Sequence, residues 1–225
     1  DKEAIETIRN AQNKGYKIYA ETCPQYLFLT RDNLNQDGFE GAKYICSPPP
    51  RDPENQKYVW KGIQNGTFDV LASDHAPFNF DDKEGKKLKG DKTPFKYVPN
   101  GVPGLETRLP LLFSEGVMKK RISINKFVEV TSTNPAKMFG LFPKKGTISI
   151  GSDADLVIWK TGIDKTIKNS DLHHDTDYTP YEGIKVNSWP NTVLSRGKII
   201  VHDGKLQGEK GYGKFLKSEI SNYVY

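Results

Sequence analysis

The stretch VLASDHAPF, residues 70–78, sets a carboxylate, Asp74, beside an imidazole, His75, straight after an apolar run and just before a proline. An acid so placed can ligate a metal ion or carry a proton, and a neighbouring imidazole can support it. A turn-forming Asp and a hydrogen-bonded core histidine use the same two residue types, so the pair alone leaves both readings open. Two other apolar runs end in polar residues: Glu21 with Thr22, and Ser47 ahead of the PPPR run at 48–51. If all three runs are parallel strands, their ends converge on one mouth, where α/β barrels assemble active sites. The remaining histidines suit chemistry less well. His173 and His174 are adjacent and would point apart on a strand, and with His202 they read as structural or surface groups. The chain contains no nucleophile elbow, phosphate loop or dinucleotide fingerprint.

The elements that must hold these residues follow from periodicity. Ala4, Ile5, Ile8 and Ala11 keep helical spacing and Gly15 stops the run, after which residues 16–22 read as a strand. Residues 43–47 read as a second strand. Asp52 as N-cap with Pro53 in the first turn then opens a helix that stops at Asn65 and Gly66. Residues 68–73 are the third strand, and residues 81–92, mixed in charge and bearing two glycines, read as a solvated, mobile loop. Leucines at 105, 109 and 112 resume a helix despite Pro110, Ser123 can cap another, and Asn134 with Pro135 repeats the cap signature. Strands alternating with helices argue for an α/β fold with a parallel sheet. Beyond a boundary near Leu141 the texture turns to short strand candidates at 147–150, 154–159, 191–195 and 198–202, with Asp203-Gly204 as a hairpin turn. From Glu209 the chain is polar and reads as a frayed tail or an arm for a neighbouring subunit.

Bulk properties narrow the classes. The 225 residues carry 33 Lys and Arg against 28 Asp and Glu, a net charge of +5, but the lysines are scattered among acids rather than gathered with aromatics, which argues against nucleic-acid binding. No run approaches the roughly 18 to 20 apolar residues of a membrane span. Cys23 and Cys46 are too few and too far apart for a metal knuckle or a disulfide framework, so they are expected to be reduced, packed thiols in a reducing, cytoplasmic setting. The chain opens on Asp1 within a helical pattern, and the expectation is that it is the later part of something longer.

Five blocks then carry a family resemblance: ETCPQYL (21–27), CSPPPR (46–51), ASDHAPF (72–78), PNGVPGLE (99–106) and KGTISIGSDADLV (145–157). In order and spacing the chain resembles the second half of a cyclic amidohydrolase of the dihydropyrimidinase and hydantoinase branch. The resemblance implies the C-terminal part of a TIM-like (β/α)8 metal-dependent hydrolase barrel over residues 1–141, followed by part of a β-sandwich over 142–225. It implies zinc, as two ions bridged by a carbamylated lysine, with that lysine and the ligating histidines lying before the first block and outside this chain. On the same footing Asp74 matches the last metal ligand and proton carrier, and Ser47 and Asn100 match positions that hold a cyclic ureide ring, largely through backbone groups. His75 is expected to support the ligand beside it. The implied partners are the small ureide substrate, the N-terminal half of the same enzyme and further copies in a homotetramer, with neither nucleic acid nor membrane. Dihydroorotases and allantoinases are the alternatives within the family; Phe78, where dihydroorotases tend to carry another histidine, and the PNG block favour the dihydropyrimidinase branch. A non-catalytic relative that keeps the barrel for assembly, in the manner of the collapsin-response mediator proteins, is the alternative outside catalysis, and retention of Asp74 and Asn100 argues for an enzyme.

Overall fold

The structure, a computed structural model, describes residues 1–221 and Tyr223. Its first helix, α1 (Lys2–Asn13), begins where Asp1 accepts a hydrogen bond from the Ala4 N–H at 3.1 Å. The helical spacing buries Ile5, and Gly15 turns the chain at φ +82°. A short strand, β1 (Glu21–Thr22), follows, and then helices α2 (Pro24–Phe28), α3 (Arg31–Leu34) and α4 (Asn55–Gln64). The next strand, β2 (Val70–Leu71), lies parallel to β1, with Glu21 opposite Val70 and Thr22 opposite Leu71. Leu88–Asp91 forms β3, and an isolated parallel bridge joins His75 to Val102.

Several local expectations change. Residues 43–47 are not a strand: Glu40–Tyr44 is a 3₁₀ turn, and Ile45 leaves it extended with no ladder beside it, its carbonyl meeting Gly101 N–H at 3.0 Å instead. Helix α4 starts at Asn55 rather than Pro53, because residues 52–55 close a turn in which Asn55 N–H donates to the Asp52 carbonyl. The signature at Asn134-Pro135 marks no helix start. Helix α6 (Ile124–Val128), capped by the Ser123 hydroxyl, runs through a π-turn at Glu129–Thr133 into α7 (Asn134–Met138). Asn134 spends its amide on the Asp69 carbonyl at 2.9 Å, which ties this helix to the entry of β2. Helix α5 (Arg108–Leu112) likewise continues through a π-turn at Phe113–Met118.

The last third is a four-stranded antiparallel sheet in the order β4 (Leu156–Thr166), β5 (Lys185–Ser195), β6 (Lys198–His202) and β7 (Lys205–Leu206). Asp203 and Gly204 both take positive φ, 49° and 72°, as a two-residue hairpin requires. Residues 147–150 form no strand. They sit in a turn that leaves Ile148 and Ile150 exposed.

The core explains why these pieces stay together. One apolar cluster joins Ile5, Leu27, Trp60, Ile63, Leu71 and Phe113, and a second brings Leu29 and Leu111 against Ile167, Tyr181 and Val186 from beyond Leu141. Each fully buried leucine contributes roughly 1.5–3 kcal/mol by leaving water. Trp159 of β4 stacks on Phe113 at 4.2 Å, and the hydroxyls of Ser114 and Ser188 bond at 2.8 Å, so the sheet is fastened to the helical part by apolar and polar contacts alike. The tail docks on its own chain: Glu219 N–H donates to Gly140, the Ser221 hydroxyl to Lys137, and the Tyr223 hydroxyl to Asp69. The resulting architecture is α/β. No helix among the described residues is long and apolar enough to cross a membrane.

Candidate functional site

Asp74 stands three residues beyond β2 and is exposed, with φ +47°. A non-glycine residue in the left-handed region is uncommon, though Asp tolerates it better than most, and such outliers gather at functional positions. The buried Gln25, on the first turn of α2, donates its amide to Asp74 Oδ2 at 3.1 Å. That bond fixes one oxygen of the carboxylate; Oδ1 has no hydrogen bond among the described residues. Gln25 itself is set by Cys23-Pro24, whose proline belongs to the first turn of a helix that starts immediately after β1. Neighbouring strand ends therefore supply the acid and its holder.

His75 does something different. Its Nδ1 accepts from the Gly104 N–H at 3.0 Å, so the ring proton lies on Nε2, and the bridge to Val102 ties the same residue to the next segment. His75 thus fastens the PNGVPG turn to the strand end that carries Asp74.

Ser47 and Asn100 are far apart in sequence but meet in space: the serine hydroxyl donates to Asn100 Oδ1 at 3.1 Å, and both residues are exposed. The turn that presents Asn100 reaches the Asp74 loop because residue 101 is glycine. A Cβ built on Gly101 would stand 2.3 Å from the Ala76 Cβ, and its φ of +115° is one that side chains avoid. The Tyr26 hydroxyl, next to Gln25, donates to the Pro48 carbonyl at 3.2 Å and so brings the Ser47 segment to the same place. Asp74, His75, Ser47 and Asn100 accordingly belong to one cluster of loops.

A partly buried arginine, a buried lysine and two thiols lie beneath it. Arg108 reaches from α5 to the Leu71 carbonyl at 2.6 Å, and burial lowers its pKa. Burial, with the Asp74 charge nearby, pushes the Cys46 thiol up to about 11, and burial with the Glu21 and Asp74 charges pushes Cys23 up to about 12. Both cysteines are free and packed. Lys86, from the segment expected to be solvated, is fully buried and points at this cluster. Sequence reasoning missed both Gln25 and Lys86. Gln25 lies inside the ETCPQYL block but looks like any polar helix residue, and Lys86 stands in a run of lysines that offers no sign of which one turns inward.

The other histidines take structural partners. His173 is held by Glu106 through ring and backbone, His174 by Asn169, and His202 by Thr192 across β5 and β6. Among the described residues no group of three His, Cys, Asp or Glu side chains could hold a metal ion.

A single carboxylate held by Gln25 just beyond a strand, with the Ser47–Asn100 pair in the same cluster of loops, is a partial constellation. The amidohydrolase family profile matches residues 45–200. The chain belongs to the amidohydrolase family. It is 47% identical over 216 residues to a D-hydantoinase of Geobacillus stearothermophilus, a match covering 96% of this chain and 45% of that protein. A crystal structure of a D-hydantoinase superposes with a TM-score of 0.91 at 47% identity, over 96% of this chain and 46% of the other. The crystal structure of a dihydropyrimidinase from Brevibacillus agri NCHU1002 gives the same TM-score at 45% identity and the same coverage of each chain. This amidohydrolase chain thus spans about half the length of the curated relatives it matches, and the cyclic amidohydrolase resemblance read from its five blocks is borne out.

Proposed function

We propose that this chain forms part of a zinc-dependent cyclic amidohydrolase that opens a hydantoin or 5,6-dihydropyrimidine ring to an N-carbamoyl amino acid, a step of pyrimidine breakdown. The observation that carries this reading is the Gln25-held, left-handed Asp74 at the strand end, in a chain so similar to D-hydantoinases. The similarity to a solved dihydropyrimidinase supports the second substrate class. We read residues 1–141 as part of a (β/α)8 barrel and residues 142–225 as part of a β-sandwich, on the parallel β1–β2 pair and the antiparallel sheet. Two free, buried thiols suit a cytoplasmic setting, and a homotetramer is the assembly the family suggests.

The donor set fits one position of a metal site and no more: Asp74 offers a hard oxygen at an exposed strand end, and its amidohydrolase partners, histidines and a carbamylated lysine, would come from outside this chain. When bound, zinc would activate water near neutral pH and polarise the ring carbonyl. Asp74 then has the remaining task, accepting a proton from the attacking water and returning it to the ring nitrogen as the amide bond breaks. Gln25 fixes the orientation of the carboxylate for this work, because its amide occupies Oδ2 and leaves Oδ1 unbonded. Ser47 and Asn100, whose side chains meet, would hold the edge of a planar ureide in this scheme, largely through backbone groups. His75 keeps the Gly104 turn against the Asp74 loop and touches neither ring nor metal in this scheme.

Asp74→Asn in the complete enzyme tests the reading. Turnover of hydantoin or dihydrouracil should fall at least about a hundredfold, the low end for a lost proton carrier. Rapid turnover of dihydroorotate by the wild-type enzyme, with none of either ring above, would replace the proposed substrate class.

A further inference from the structure

Lys86 is the largest charged side chain buried in the described molecule, and it faces no carboxylate. Buried lysines are rare and are normally paired, since removing an ammonium from water is costly. Here all three donors of Nζ end on backbone carbonyls: Pro99 at 2.6 Å, Gly101 at 2.8 Å and Ile45 at 3.2 Å. Those carbonyls flank the two residues whose side chains are bonded to each other, Ser47 and Asn100. Ile45 precedes Ser47 by two positions, and Pro99 and Gly101 bracket Asn100.

The lysine is delivered deliberately by its own segment. Its N–H donates to the Asn79 carbonyl at 2.8 Å, and Gly85 must lack a side chain because a Cβ there would fall 2.1 Å from that same carbonyl oxygen. Asp177 clamps the base of the segment by accepting the N–H groups of Phe80 and Asp81 at 2.6 and 2.8 Å. Loop closure alone would not need a charge, because the Gly101 N–H already donates to the Ile45 carbonyl at 3.0 Å. What the ammonium adds is a single centre that fixes three peptide planes at once.

We infer that Lys86 is a positioning residue for substrate: its ammonium gathers the Ile45, Pro99 and Gly101 carbonyls and thereby sets the spacing of Ser47 and Asn100, the edge that receives the ureide ring. The inference rests on the proposed reading of Ser47 and Asn100 as ring-holding residues. The ammonium touches no reacting atom, so its loss weakens binding more than chemistry.

The test uses the complete, zinc-loaded enzyme and the variant Lys86→Met, close in volume and without donors. With hydantoin or dihydrouracil, KM should rise at least about tenfold while kcat stays within about threefold. A fall in kcat at unchanged KM, or no change in either, overturns the proposal. Hydrogen exchange on the same two proteins supplies a readout that needs no turnover: the Gly101 amide should exchange at least about tenfold faster in the variant while amides of α4 keep their protection. Equal protection at Gly101 overturns the proposal even if the wild type hydrolyses neither ring, an outcome that would by itself sink only the substrate reading. If Lys86→Met does not fold, Lys86→Gln, which keeps a shorter donor, is measured in the same two ways and should shift both in the same direction.

Discussion

The Gln25 amide lies 3.1 Å from Asp74 Oδ2, joining residues that each follow one of two neighbouring parallel strands by three positions. Gln25 is fully buried and its Oε1 has no partner among the described residues, so its side chain is kept for the carboxylate rather than for its own satisfaction. Such a side chain costs stability on one end and orients the Asp74 carboxylate with the other.

That division is measurable. Gln25→Met removes the donor together with the unpaired oxygen, so stability should change by no more than about 1 kcal/mol. Turnover should fall roughly tenfold as Asp74 loses its orientation, a cost of one hydrogen bond. Steady-state kinetics and denaturant unfolding on the same variant check the two halves, and a large stability loss with normal turnover would contradict the assignment.

Gly101 is the steric condition for the loop cluster. Gly101→Ala puts a methyl group 2.3 Å from the Ala76 Cβ at a φ of +115°. Backbone strain and overpacking together should cost about 2–5 kcal/mol. Chemical denaturation reads this directly; a loss below about 1 kcal/mol would mean the two loops do not meet as described.

Both thiols should be inert. With Cys23 held near 12 and Cys46 near 11 by burial and by nearby carboxylates, the thiolate fraction at pH 8 is on the order of one in a thousand or less. Iodoacetamide treatment at pH 8 followed by peptide mapping should leave both positions unmodified in the native protein and alkylated after denaturation.

Lys86 gives a pH signature of known sign. Burial lowers its pKa from 10.5 to about 8, so between those values the unfolded chain binds the extra proton. The cost of burying the charge is present in full below pH 8 and is relieved as the pH rises. Relative to Lys86→Met, the wild type should therefore gain about 1 kcal/mol of stability between pH 7 and pH 9. Taking the difference removes the opposing effect of Cys23 and Cys46, whose raised pKa values destabilise the fold once the unfolded thiols ionise. Parallel urea titrations at the two pH values decide it, and a wild type that loses ground to the variant would show that Lys86 is not buried as a charge.

The sequence by itself determined whatever depends on near neighbours along the chain. Ser123 caps a helix as its type demands, Asp203-Gly204 closes its hairpin, residues 198–202 pair where their alternation ends, and the five blocks carry the family. Asp74 was legible as a candidate because an acid after a buried strand is a local pattern. Only the tertiary structure decided which other residues share its mouth. Residues 43–47 have strand-forming side chains but no ladder to join, and a strand exists only where a partner offers hydrogen bonds. Gln25 and Lys86 became visible through contacts across 49 positions in one case and 41 in the other, and no periodicity reports a polar side chain that is buried because distant carbonyls and a distant carboxylate need its donors.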